Sequence, residues 1–508
     1  MAFGILEDKH IEHPPGTACM NDQSDVPREY EQVPKELLKH GTGRYSHVIL
    51  VPQPSDSPND PLNWSIWKKD GILLIVGLSA AVVGAFGPML SPGFLVIAAA
   101  LHISVPTLAQ STAWVILCIG LSLFLANPIA KVLGRRPVFI VAVCIMFACS
   151  IWGAFSKNYT SFLASRVIAG LGMAPYEVLD IGWKWTFGIC AIFFGIFIFL
   201  VVFFVPETAY IRAPIPERLA STITHASDSE KATGDVEKNE VTATGKSTAE
   251  SLPPVEPKES YLHSLRFMSG RKYTDAPFWK ILIRPVVIFW YPAVLWAFLI
   301  YGVSLTWIVV FSVVNASIFT LPPYNFSVSE TGLISLSPFI FTILGEVISG
   351  PLNDWICLYL TKKNHGIYEP EFRLVLMAPV LILGITGFFG FGATVHYQTH
   401  WIGPVLTFGL ANMATAFEAG CVFGYVIDSY EDLAEEAFVA INARNLLTFG
   451  LTYFVNDWLA KDGALNVFNV LGSTFIAVVL LTVPLWIFGK KIRGAIARNT
   501  TLTAFMKD

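Results

Sequence analysis

The sequence predicts an all-α integral membrane protein built as two helical bundles. Three observations carry this. Of 508 residues, 54% are hydrophobic and only 14% charged, with mean hydropathy +0.56; soluble domains carry about 25% charged residues. Apolar runs near the length that crosses a bilayer, about 20 residues, recur at 70–92, 108–130, 137–155, 160–179, 183–205, 286–312, 331–352, 374–394, 402–427, 436–456 and 467–488. A polar stretch, 206–285, leaves five of those runs before it and six after it.

Each segment follows from its composition. Residues 1–69 form a polar N-terminal tail with no basic region followed by an apolar one, so no cleaved signal peptide is expected. Residues 70–205 make the first bundle. The connection 206–285 is rich in Ser, Thr, Glu and Lys around 221–259 and has no apolar periodicity, which predicts disorder there. Residues 286–488 make the second bundle and 489–508 a C-terminal tail. The net charge of −4 says little, because the charges gather in tails and loops. The seven cysteines show no metal-ligand spacing and fit small packing residues. No GxSxG, HExxH or P-loop pattern occurs, so neither an enzyme nor an ATP-driven pump is expected, and no cofactor or metal is implied.

Orientation follows from lysine and arginine. Lys68 and Lys69 precede the first run; Lys131, Arg135 and Arg136 follow the second. Arg266, Arg271, Lys272, Lys280 and Arg284 precede the sixth, Lys362, Lys363 and Arg373 follow the seventh, and Lys490, Lys491, Arg493 and Arg498 follow the last. The connections 93–107, 313–330 and 395–401 contain neither residue type. Basic connections inside and poor ones outside require an even number of crossings with both termini cytoplasmic. Eleven runs are visible, so twelve are expected. The mismatch localises to Leu179–Asp180. The fourth run should emerge there on one side, and the fifth, opening at Trp183, should start on the other. The few residues between them, at about 3.5 Å each, cannot cover a core of about 30 Å. Two explanations stand: loss of one span with its short loops, roughly 35–50 residues, or a fourth run that is re-entrant.

The stretch Asn127-Pro128-Ile129-Ala130-Lys131-Val132-Leu133-Gly134-Arg135-Arg136 resembles the loop signature of the major facilitator superfamily, Gly-x-x-x-Asp-Arg-x-Gly-Arg-Arg. Its Gly-Arg-Arg end matches, while Lys131 stands at the acidic position. The second half has Gly350-Pro351-Leu352-Asn353-Asp354 at the equivalent place, a weak internal repeat. Arg166-Val167-Ile168-Ala169-Gly170 resembles the family's fourth-span pattern, and Pro206-Glu207-Thr208 a common element at the end of the first half. Asp60-Pro61-Leu62-Asn63-Trp64-Ser65 is similar to the fungal drug:proton antiporter-like branch. The resemblance, over about 58–490, implies a major facilitator fold of two six-helix bundles and a gating loop of Lys131, Gly134, Arg135, Arg136 and Asp354. The branch's antiporter signature falls in the fifth span, the one apparently deleted.

Charges at membrane depth cost at least about 2.5–3.5 kcal/mol each on insertion scales and mark function. Glu418, mid-span, suits proton binding and release, or a structural hydrogen bond. Glu346 fits a gate, a second proton site or an ion pair with a basic loop. Glu177 ends the fourth span. Arg444 fits a carboxylate partner or snorkelling to the interface. Arg166 takes part in proton coupling by resemblance only. Trp114, Phe298, Trp307 and Phe311 are candidates to line a cavity. Gly170 and Gly172 mark close helix contacts. The acidic run Asp428–Glu436 is expected to be a solvated turn and helix start. Asn158-Tyr159-Thr160 and Asn325-Phe326-Ser327 are external glycosylation candidates. Asn63 and Asn499 lie inside and should be silent; Asn315 is at a boundary.

The expected function is proton-coupled secondary transport of small organic molecules, with efflux of a secondary metabolite or toxic compound across the cell membrane. Proton-coupled uptake of a polyamine-like organic cation and a non-transporting remnant are the alternatives. The expected partners are the lipid bilayer, a small-molecule substrate and protons, with no nucleic acid, and the chain is expected to act as a monomer.

Overall fold

The structure, a computed structural model, describes residues 3–8, 10–11, 14–19, 39–40, 50, 53–55, 57–85, 94–173, 183–209, 260, 265–267, 273–274, 276–499 and 505–506. Its helices are α1 Ile66–Ala85, α2 Phe94–Leu101, α3 Val105–Leu133, α4 Arg135–Ala154, α5 Tyr159–Met173, α6 Trp183–Phe204, α7 Phe278–Ile288, α8 Pro292–Phe319, α9 Val328–Ile334, α10 Leu336–Lys363, α11 Met377–His396, α12 Ile402–Ser429, α13 Ala434–Ile441, α14 Arg444–Leu480 and α15 Thr482–Arg498. A two-residue strand β1, Ala18–Cys19, pairs antiparallel with β2, Ile367–Tyr368. Among the described residues, eight helical stretches are long and apolar enough to cross a membrane.

In the first bundle α3, α4 and α5 pack together and α6 packs on α4; in the second, α8, α10, α11, α12 and α14 form the core. The bundles meet where α3 runs along α14. Small residues set the spacing within the first bundle and between the two bundles. A Cβ on Gly170 would sit 2.8 Å from Cys118 of α3, and one on Gly120 would sit 2.9 Å from Asn445 of α14. Only a hydrogen fits at such approaches.

Several boundaries differ from the sequence expectation. The Asn127–Arg136 stretch is not an extended loop: α3 continues to Leu133 and α4 starts at Arg135, with Gly134 alone between them. Gly134 has φ +98°, a left-handed conformation that suits glycine. Gly350–Asp354 is not a turn either but lies inside α10, whose Pro351 is accommodated within the helix. The run at 286–312 divides into the amphipathic α7 and the longer α8. The last two runs join as α14, broken only at Gly463, φ +73°. The boundary at 489 falls inside α15, where Lys490 and Arg493 are buried. The fourth-run helix is described only to Met173, so the Leu179–Asp180 junction and Glu177 lie outside the described residues.

α10 is covered least. Only 17% of its apolar stretch is buried, against 56% for those of α8 and α12. Its buried residues, Gly345, Ser349, Asn353, Cys357 and Thr361, follow one four-residue stripe. Gly345 on that stripe meets Ala416 of α12, where a Cβ would approach to 2.8 Å.

Candidate functional site: a buried carboxylate and an inter-bundle ion lock

The centre of the second bundle is polar, and its hub is the α8 segment Tyr301–Thr306. Glu418 of α12 is fully buried, and one of its oxygens accepts the Ser304 hydroxyl at 2.6 Å. Its other oxygen, Oε1, has no hydrogen-bond partner. A buried carboxylate in that state needs a proton or a cation, because desolvation of an unpaired charge costs several kcal/mol. Two residues on, across the helix, the Thr306 and Thr448 hydroxyls bridge α8 to α14 at 2.7 Å. Arg444, buried on α14, sits over the Tyr301 ring at 5.4 Å, and its Nη1 donates to Asn445 at 3.3 Å. Asn445 in turn meets α3 at Gly120. Two sequence-marked residues, Glu418 and Arg444, thus flank the same turn of α8 without forming an ion pair.

The remaining candidates separate from this hub. Arg166 is fully buried on α5 in the first bundle. Glu346 is exposed on α10, and no ion pair of the described residues involves it. Phe311 is no cavity wall. It is the centre of a packed cluster, 4.6 Å from Phe391, 4.9 Å from Phe468, 5.1 Å from Phe408 and 5.7 Å from Phe388. Trp307 is buried with its indole nitrogen lacking a hydrogen-bond partner. Trp114 packs on Phe449 at 5.3 Å and Phe298 on Phe289 at 4.9 Å.

A second constellation joins the bundles where the basic residues gather, here termed the basic end. Lys131, at the end of α3, binds Glu436 at 2.6 Å and Glu435 at 3.6 Å. Arg135 pairs with Glu435. Arg284 of α7 reaches Glu436 at 3.8 Å. Glu436 is 1% exposed, so its charge depends on these cations. This corrects the expectation of a solvated acidic turn: Glu436 is buried in the lock, and Asp428 pairs with Arg373 at 2.6 Å and accepts the Tyr368 hydroxyl. Asp354, assigned to the gate by resemblance, is exposed on α10, and no ion pair among the described residues involves it.

The structure also reveals why a carboxylate follows the last span of the first half. Glu207 accepts the backbone N–H groups of Arg135 at 3.0 Å and Arg136 at 3.1 Å, capping the first turn of α4. The helix dipole favours an anion there. Arg136, buried, donates to the Val202 carbonyl at 2.7 Å and the Arg266 carbonyl at 2.5 Å, tying α4 to the end of α6. The Pro206-Glu207-Thr208 motif was visible in the sequence; its partner was not.

Asn158 and Asn325 are exposed. Asn158 precedes α5 and caps it through Ser161 N–H at 2.9 Å. Asn325 lies between α8 and α9. Both sit at the helix ends away from the lock, since α4 leaves the lock at Arg135 and α8 follows α7.

These features define a multi-pass helical membrane protein with an internal polar site and a charged contact between two bundles. A Major Facilitator Superfamily family model matches residues 177–453. Known proteins are similar along most of the chain. An uncharacterized MFS-type transporter of Schizosaccharomyces pombe is 24% identical over 97% of this chain and 94% of its own. Protein HOL1 of Saccharomyces cerevisiae is 23% identical over 88% of this chain and 90% of its own. MFS-type transporter penM of Penicillium rubens is 24% identical over 86% and 88%. The solved structure of the proton:xylose symporter XylE shares the fold, with TM-score 0.52 at 13% identity, over 83% of this chain and 96% of that one. The chain belongs to the Major Facilitator Superfamily. It is a membrane transporter and not an enzyme.

Proposed function

We propose that the protein is a proton-coupled secondary transporter that exports a small organic molecule, a secondary metabolite or toxic compound, across the cell membrane by alternating access. The observation that carries this reading is Glu418: fully buried, held by Ser304, with one oxygen unpartnered. Such a carboxyl is comfortable protonated, and it can release its proton when the site opens or a substrate enters. Arg444 and Arg166 are the cations proposed to assist that exchange, with Glu177 and Glu346 as further carboxylates on the path. The Lys131–Glu436 lock joins the bundles at the end proposed to be cytoplasmic. With the lock closed, access is from outside; breaking it opens the inward-facing state. Both termini are proposed to be cytoplasmic, and Asn158 and Asn325 to be external and glycosylated.

The same orphan oxygen favours a second reading, uptake of a polyamine-like organic cation whose ammonium would pair with Glu418. The assignment to the fungal drug:proton antiporter-like branch, with its fifth span deleted, is also proposed. The thin coverage of α10, whose exposed face carries Glu346 and Gly350, supports a missing neighbour. On that assignment a third reading follows, in which the 508-residue form is a non-transporting remnant and export belongs to the twelve-span form.

The test is expression of the 508-residue form and of a form with a twelfth span restored, followed by metabolite profiling of cells and medium and by radiolabelled spermidine uptake. Accumulation in the medium supports export. Spermidine uptake that rises with expression overturns it. Flux only from the restored form supports the deletion. Glu418→Gln is expected to remove the pH dependence of flux, and coupling that survives the substitution removes Glu418 as the proton carrier.

A further inference from the structure

Residues 3–8 and 14–19 lie folded against the basic end of the second bundle. Ile5 is fully buried in a satellite core with Cys357, Tyr368 and Phe372. Leu6 N–H donates to the Ile487 carbonyl at 3.0 Å, and the Trp486 indole N–H donates to the Phe3 carbonyl at 3.2 Å. The charges are complementary: Glu7 meets Lys490 at 2.5 Å, and Asp8 meets Arg498 at 2.6 Å. Further along, the Thr17 hydroxyl donates to Glu369 at 2.7 Å, Arg493 donates to the Pro15 carbonyl, and β1 adds itself to β2. Arg493 itself is held by Glu369 at 3.1 Å and Glu371 at 2.7 Å. The segment therefore bridges α15 and the connection between α10 and α11.

Gly16 extends the contact to a third element. Its φ is +88°, and a Cβ there would overlap the Asp428 carbonyl in the last turn of α12. Only a short 3-10 turn, Glu431–Leu433, separates α12 from α13, which carries Glu435 and Glu436. The position of the last turn of α12 thus helps set where the acidic half of the lock stands.

We infer that residues 3–8 and 14–19 form an intramolecular latch, docked on a basic and aromatic surface of α15 and β2, that braces the end of α12 and so holds the inter-bundle lock closed. The surface fits an acidic, apolar-tipped peptide, and this chain supplies one. Releasing the latch loosens α13 and raises the fraction of molecules with the lock open. This rests on the lock geometry, and neither Glu418 nor any substrate enters it.

The test is amide hydrogen exchange on the intact chain in nanodiscs. Two single variants release the latch. Gly494→Leu adds a side chain where a Cβ would overlap the Asp8 carboxylate. Asp8→Arg faces Arg498 with a like charge. The double variant Asp8→Arg with Arg498→Asp restores the pair with opposite sense. Both single variants are expected to raise exchange at least tenfold in residues 3–19 and 367–368, and several-fold in 434–441. The double variant is expected to return most of that protection. Unchanged exchange in 3–19 in both single variants overturns the latch. Release of 3–19 with wild-type protection of 434–441 overturns its coupling to the lock. Because the readout is exchange and not flux, it stands or falls separately from the transport direction and from Glu418.

Discussion

The two repeat-related corners of this transporter do different work. In the first half, the corner at Gly134 sends its cations across the molecule: Lys131 and Arg135 end on Glu435 and Glu436 of the other bundle. In the second half, the corresponding stretch around Gly350 is a continuous helix, and the nearby ion pair, Arg373 to Asp428, stays within its own bundle. One corner is a charged contact between the bundles, while the other is bracing inside one bundle, against which Gly16 also packs. A similar sequence element at matched places can therefore join the two bundles in one half and brace a single bundle in the other. What separates them is whether the counter-charge sits on the partner bundle.

The largest expected effect breaks the lock. Glu436→Lys sets a third cation beside Lys131 and Arg284 in a site 1% exposed. Leaving buried charges unpaired costs about 3–5 kcal/mol. The lowered unfolding midpoint in detergent, and partial recovery in the Lys131→Glu, Glu436→Lys double variant, are the measurements. No recovery would mean that the two residues do not act on each other.

A smaller effect separates the two glycines directly. Gly134→Ala imposes a left-handed conformation on an L residue and drives a Cβ into the Glu207 carboxylate that caps α4. The expected loss is about 1–3 kcal/mol. Gly350→Ala meets nothing within 4 Å and is expected to change stability by no more than about 0.5 kcal/mol. Equal shifts in the thermal unfolding of the two variants would erase the distinction between the corners.

The smallest effect concerns acid. The His10 N–H donated to its carboxylate, together with Arg498, holds Asp8 below the usual carboxylate range. A group depressed on folding contributes its stability above its unfolded value and loses it as pH falls through the folded one. Protection of the Leu6 amide, corrected for intrinsic exchange, should therefore be full near neutrality and fall only below the ordinary carboxylate range. Loss of protection already between pH 7 and 5 would point to another titrating group.

How much was legible depended on the distance over which each signal acts. Membrane segments are read from local composition, since each buries its own backbone hydrogen bonds. Hence the apolar runs coincide with helices among the described residues, although the run at 286–312 divides into α7 and α8 and the last two join in α14. Glu418 stood out because a carboxylate amid an apolar run is costly wherever it lies. Its hydroxyl partner Ser304 did not, because serine is unremarkable in a helix. Lys131 was visible as a departure from the family pattern, yet its meaning rests on Glu436, 305 positions away. Glu207 was seen as part of a motif while its role, capping α4, needed the fold to bring α6 back to Gly134. Phe311 was a candidate to line a cavity and is packed among four rings, because sequence does not tell a packed ring from an exposed one.

The sequence alone determined the membrane class, the all-helical fold and the charged residues worth watching, because bilayer solvation acts residue by residue. Only the tertiary structure decided which charges meet. It turned an acidic turn into half of a lock, gave Asp354 and Glu346 no ion pair among the described residues, and folded residues 3–8 onto α15. Ion pairs and caps act over a few ångströms, and chain separation carries no information about distances that short.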